Sequence, residues 1–138
     1  ILGFAFGAFA ADRGSKEEAQ ALVKKIVQFH KANGKDKAMA EGNKPGGPFR
    51  VKDLSITAFF PDGVNIINAN PKMPGKNLME LKDVDGVFVV KGIIKIGTRD
   101  GSGWFDYRWP NATSKKVESM GAYVEKFEDV IYYCAYTK

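Results

Sequence analysis

Two hydrophobic periods alternate along this chain, and the switches between them mark its elements. Apolar residues fall first at Ala19, Leu22, Val23, Ile26 and Val27, with His30 closing the stripe. That i, i+3, i+4 spacing predicts an amphipathic helix. Ser15-Lys16-Glu17-Glu18 precedes it as a capping box, and Asn33-Gly34 follows as residues that tolerate a left-handed turn, so the helix spans 15–33. Lys37 to Glu41 reads as a short second helix, broken by Asn43-Lys44-Pro45-Gly46-Gly47-Pro48. The period then shortens. Leu54 to Phe60 and Val64 to Ala69 are strand-forming runs on either side of the turn Pro61-Asp62-Gly63, a hairpin signature. Residues 70–86 are a loop-rich connection. Val87 to Ile96 is apolar enough for a helix lying on a sheet, ended by Gly97 and Asp100-Gly101-Ser102-Gly103. Three strands close the chain, at 104–109, about 117–127 and 130–137. This order predicts an α+β fold: an antiparallel sheet of about five strands with a long N-terminal helix packed along it.

The richest strand is Gly103-Trp104-Phe105-Asp106-Tyr107-Arg108-Trp109-Pro110-Asn111. Side chains alternate faces along a strand, so Phe105, Tyr107 and Trp109 share one face and Trp104, Asp106 and Arg108 the other. One reading is an amphipathic strand whose charges face water. The other is a wall of a small-ligand pocket, which combines apolar surfaces with a few placed polar groups.

Composition narrows the function classes. The 138 residues are 44% hydrophobic and 27% charged, which suits one globular domain. A single cysteine, Cys134, excludes an intrachain disulfide and a cysteine-rich zinc site, and its apolar surroundings read as a buried, inert thiol. The net charge is +5, but the longest basic runs are pairs, Lys24-Lys25 and Lys115-Lys116. No basic face of the kind that binds nucleic acid is visible, and no nucleic-acid partner is expected. His30 is the only histidine and lies on a buried stripe, so it reads as packed rather than catalytic. Asp83-Val84-Asp85-Gly86 lacks the further oxygen ligands and closing glutamate of a calcium loop and reads as a turn. No metal or cofactor is expected. Residues 1–10 carry no charge, and Ala8-Phe9-Ala10 fits a small-x-small cleavage signal. They read as the tail of a signal peptide or as an apolar assembly arm, ahead of one domain over 11–138. Export to a periplasmic or extracellular compartment follows from the first reading.

Several segments, taken in order, resemble the single Cache domain family of extracytoplasmic sensors, from about Glu17 to Lys138. They are Asn70-Pro71-Lys72-Met73-Pro74-Gly75-Lys76-Asn77-Leu78, Leu81-Lys82-Asp83-Val84-Asp85-Gly86, the aromatic strand 103–111, Ala122-Tyr123-Val124-Glu125-Lys126 and Cys134-Ala135-Tyr136-Thr137-Lys138. The resemblance implies a PAS-like sheet and a small-molecule pocket on one of its faces, often for short organic acids. It also implies two departures. Asn68 stands where the family often has a histidine, and Met120 where relatives often carry a lysine able to pair with a ligand carboxylate. Arg108 or Arg50 could supply that contact instead. The family contains receptor domains and free secreted proteins, and a chain ending at Lys138 without an exit helix fits the second kind.

The resulting expectation is an exported sensor-type domain for a short organic acid or similar small metabolite. Tyr107, Trp109 and Tyr123 are expected to converge on one cavity, with Asn68 at its edge and Arg108 as a further candidate. A membrane-bound signalling partner, or self-association through residues 1–10, would carry the signal or the assembly. The alternative is a structural protein in which that arm docks into a neighbouring subunit. Catalysis is not expected, because His30 and Cys134 lie on different elements and neither sits in a nucleophile motif.

Overall fold

A computed structural model of the protein describes residues 13–111 and 114–138. The expected targeting segment or arm, residues 1–10, lies outside them.

The first helix, α1 (Lys16–Asn33), starts where its capping box predicts. The Ser15 Oγ accepts from the Glu18 N–H at 3.1 Å, and Glu18 Oε1 accepts from the Ser15 N–H at 3.0 Å. Its predicted stripe is the buried one: Ala19, Leu22, Val23, Ile26, Val27 and His30. Helix α2 (Lys35–Asn43) follows and is longer than its sequence signal. A short ribbon of β1 (Arg50–Val51) and β2 (Leu54–Ser55) comes next; the sequence pattern merges β2 into the following strand and does not predict β1. The hairpin is β3 (Thr57–Phe59) and β4 (Asn65–Ile67), paired antiparallel as predicted.

Helix α3 (Val89–Asp100) runs through Gly97, where the sequence pattern suggested a stop. Gly97 packs against the sheet: a Cβ built there would stand 3.2 Å from two carbons of Ile131, so the residue is small for contact and not for a turn. The meander β5 (Ser102–Pro110), β6 (Val117–Phe127) and β7 (Val130–Thr137) completes a five-stranded antiparallel sheet in the order β4-β3-β7-β6-β5.

The sheet separates two apolar clusters. On one face α1 and α2 cover Ile56, Ala58, Ile67, Tyr123, Tyr132 and Cys134. On the other face α3 places Val89, Val90, Ile93 and Ile94 against Phe59, Val124 and Ile131, with Phe105 and Tyr107 packed alongside. Cys134 is fully buried, and burial pushes its thiol up to about 12, the inert state expected of it. No helix among the described residues is long and apolar enough to cross a membrane.

The α3 face is only partly covered. The helix sits over the middle of the sheet, with Gly92 pressed so close to Phe105 that a Cβ would stand 2.2 Å from the ring. Beyond the N-terminal end of α3, residues 70–88 form the remaining cover.

Candidate functional site

Strand β5 delivers the alternation that its sequence predicts. Its even-numbered residues are exposed, and its odd-numbered ones from Gly103 to Trp109 are partly buried. Phe105, Tyr107 and Trp109 therefore form a row on the α3 face, their rings in successive contact with centroids 6.1 and 6.3 Å apart. Across the sheet, Thr57 and Tyr133 are directly paired, and Phe59 stacks parallel to Tyr133 with centroids 6.2 Å apart. Between these groups and the 70–88 segment lies a cavity of about 290 Å³. Its floor and walls are Thr57, Phe59, Tyr107, Trp109 and Tyr133. Its rim and roof are Asn68, Asn70, Met73, Leu78, Leu81 and Val89.

The roof is fastened by hydrogen bonds from both ends. The Asn65 N–H donates to the Lys76 carbonyl at 2.8 Å, the Gly75 N–H to the Asn65 carbonyl at 2.8 Å, and the Leu78 N–H to the Gly63 carbonyl at 3.0 Å. At the far end Asp83 is the anchor. Its carboxylate accepts from the N–H groups of Asp85 and Val87, both at 2.9 Å, and from the Arg108 N–H on the outer edge of β5 at 3.1 Å. Burial opposes ionisation of Asp83, but these three N–H groups and the Arg108 charge outweigh it and hold the carboxyl below its usual range. The turn expected at 83–86 is thus a clasp that ties the roof to the aromatic strand.

The cavity brings together three of the expected residues. Asn68 sits at the rim, with its carboxamide oxygen accepting from the Asn70 N–H at 2.9 Å. Its amide nitrogen has no partner among the described residues. Tyr107 and Trp109 line the wall. The Tyr107 hydroxyl likewise has no hydrogen-bond partner among the described residues, and burial raises its pKa well above the ordinary phenol value. Burial also pushes Tyr133 up to about 12.

The expected convergence of Tyr123 on this cavity is not what the fold does. Tyr123 is paired directly with Trp104, and Tyr107 with Met120, so Tyr123 belongs to the opposite face. There its hydroxyl donates to Glu125 Oε1 at 2.8 Å beside Lys24. Arg108 also lies away from the cavity, its guanidinium on the Asp85 carboxylate at 3.1 Å. Arg50, on the β1–β2 ribbon, does not line the cavity either.

Sequence reasoning missed Tyr133, Phe59 and the whole roof. Tyr133 had a signal: it alternates with the core residues Tyr132 and Cys134 and so faces away from them. The roof had none, because its placement rests on bonds to residues distant in sequence. Among the described residues no group of three or more His, Cys, Asp or Glu side chains is arranged to hold a metal ion.

A family model described as Single Cache domain 2 matches residues 8–133. Among solved structures, a methyl-accepting chemotaxis protein from Vibrio parahaemolyticus is 26% identical, with 88% of this chain and 87% of that one aligned at a TM-score of 0.70. A Cache chemosensory domain described in terms of carboxylic acid recognition is 20% identical, with 88% and 91% of the two chains aligned at a TM-score of 0.70. A periplasmic sensor domain of a chemotaxis protein is 17% identical, with 88% of each chain aligned at a TM-score of 0.64. The last two resemblances are of fold.

Proposed function

The chain belongs to the single Cache domain 2 family, and on that premise we propose that it is an exported, sensor-type domain whose cavity beneath the 70–88 roof binds a small organic molecule, a short organic acid or similar small metabolite. The observation that carries this reading is the pairing of aromatic walls with unengaged polar groups. A close-packed core would satisfy the Tyr107 hydroxyl and leave no room beside it. Here Tyr107 and Asn68 both line a cavity of about 290 Å³, room for roughly ten water-sized groups at about 30 Å³ each. Tyr107, Trp109 and Asn68 are the proposed contacts from the expected set, with Tyr133 and Thr57 added.

The working compartment on this reading is periplasmic or extracellular, and the domain reports to a membrane-bound signalling partner. Strand β7 supports such a role for α1. Tyr133 lines the cavity, while its neighbour Tyr132 points to the other face and meets His30 of α1, with His30 Nδ1 and the Tyr132 hydroxyl 2.8 Å apart. A ligand that shifts Tyr133 acts on the strand that holds the helix. Signalling further requires that ligand favour one of two conformations.

A thermal-shift screen of short acids, amides, alcohols and amino acids tests the proposal, because a ligand of the native state raises the melting temperature by mass action. The expected result is a concentration-dependent rise that disappears in Trp109→Ala. A rise that persists in that variant, or no rise with any compound, rejects it.

A further inference from the structure

We infer that the cavity selects an uncharged ligand, so that a molecule carrying an amide, hydroxyl or protonated acid group is preferred over the corresponding carboxylate. The inference rests on the reading of this cavity as the ligand site, and of the ligand kinds named there it favours an uncharged small metabolite over an ionised short organic acid. Every lining side chain is uncharged: aromatic, aliphatic, or one of the neutral polar residues Thr57, Asn68 and Asn70. No cation lines the cavity, and those nearest it are paired elsewhere or exposed to solvent. Arg108 holds Asp85 at 3.1 Å, and Lys138 holds Asp106 at 2.8 Å. Lys82 lies over the Phe88 ring, 4.9 Å from its centroid. Lys72 and Lys76 belong to the roof but are exposed to solvent. Residues 1–12 and 112–113 contain no lysine, arginine or histidine.

The energetics follow from that inventory. A carboxylate moved from water into a partly apolar cavity loses several kcal/mol of hydration. A guanidinium or ammonium contact would offset much of it, and neutral donors offset less. The donors present are the phenol and threonine hydroxyls, the Trp109 indole N–H and amide N–H groups, all of them neutral. The phenols of Tyr107 and Tyr133 are neutral at about pH 7, as any phenol is, and burial raises their pKa values further. They can donate to a carbonyl or accept from a hydroxyl or amide, which suits a neutral polar group. An ammonium ligand would meet aromatic faces, but no carboxylate lines the cavity to complete its site. Met120 fits the same pattern. It is paired with Tyr107 on β6 and stands outside the cavity lining, so the strand next to β5 adds no charge there.

Isothermal titration calorimetry with hexanoate, hexanamide and hexylamine at about pH 8 separates the classes, since the acid is then ionised and the amine protonated. The expected order is hexanamide tightest, with hexanoate weaker by about tenfold or more, equivalent to about 1.4 kcal/mol. Met73→Lys, which adds a cation to the lining, should raise the ratio of hexanoate to hexanamide affinity by about tenfold. Hexanoate or hexylamine binding as tightly as hexanamide, with that binding lost in Trp109→Ala, overturns the inference and leaves the site reading intact. Binding that Trp109→Ala does not affect overturns the site reading, and this inference with it. Failure of all three compounds to bind counts against both.

Discussion

Trp104 and Tyr123 face each other directly across β5 and β6, with ring centroids 5.1 Å apart, on the α1 side of the sheet. Tyr107 lies on the same strand as Trp104 but on the α3 side. The two tyrosines therefore have opposite duties. Tyr123 is buried, with its hydroxyl tied to Glu125 beside Lys24, where hydrogen bonds to Tyr123 and Glu125 raise the lysine's pKa. Tyr107 lines the cavity on the other face.

The matched pair of tyrosine-to-phenylalanine variants separates these roles. Tyr107→Phe should weaken binding of a confirmed ligand by about three- to tenfold, the worth of one net hydrogen bond of about 0.5–1.5 kcal/mol, with little change in melting temperature. Tyr123→Phe should leave affinity unchanged. Calorimetric titration of both variants checks this, and a loss confined to Tyr123→Phe contradicts the site.

The contrast also marks how far the sequence could be read. Alternation along one strand is local, so the shared face of Phe105, Tyr107 and Trp109 was legible from residue spacing alone. Register between strands is not local. It depends on how the turn between β5 and β6 is closed, and here it pairs odd-numbered residues of β5 with even-numbered residues of β6. Tyr123 was thereby placed on the wrong face by any argument that used only its nearness. The capping box of α1 and the stripe from Ala19 to His30 were legible because helix signals repeat within a few residues. The roof was not, because Asp83 finds Arg108, and Asn65 finds Lys76, only in the folded chain.

Asp83→Asn should loosen the roof. The amide keeps one acceptor oxygen and presents a donor where the carboxylate accepted an N–H. Because the folded pKa of Asp83 lies below the ordinary value of 3.8, its contribution to stability is present above that value. It is lost as pH falls through the lowered folded value. Urea unfolding between about pH 3 and pH 7 should therefore show a shallower acid-side decline in Asp83→Asn than in the parent. Identical slopes would contradict the role of the clasp. Ligand affinity should fall with it, since Leu78 and Leu81 lose a fixed position.

His30→Ala should be strongly destabilising. The imidazole is 2% exposed, with Nδ1 2.8 Å from the Tyr132 hydroxyl and Nε2 2.9 Å from Glu128 Oε1. Its ring also packs edge-on against Phe127, with centroids 4.7 Å apart. Truncation leaves the buried Tyr132 hydroxyl without its partner and opens a cavity at the end of α1. The combined cost is about 2–4 kcal/mol. Denaturant unfolding measures it, and a loss under about 1 kcal/mol would show that the network is not fully formed.

The most direct test of the central claim is a crystal structure grown with the compound that most raises the melting temperature. An ordered molecule is expected between the β5 wall and the 70–88 roof, in contact with Trp109 and within hydrogen-bond distance of the Tyr107 hydroxyl or the Asn68 amide. A molecule bound elsewhere, with the cavity beside Tyr107 holding only solvent, would contradict it.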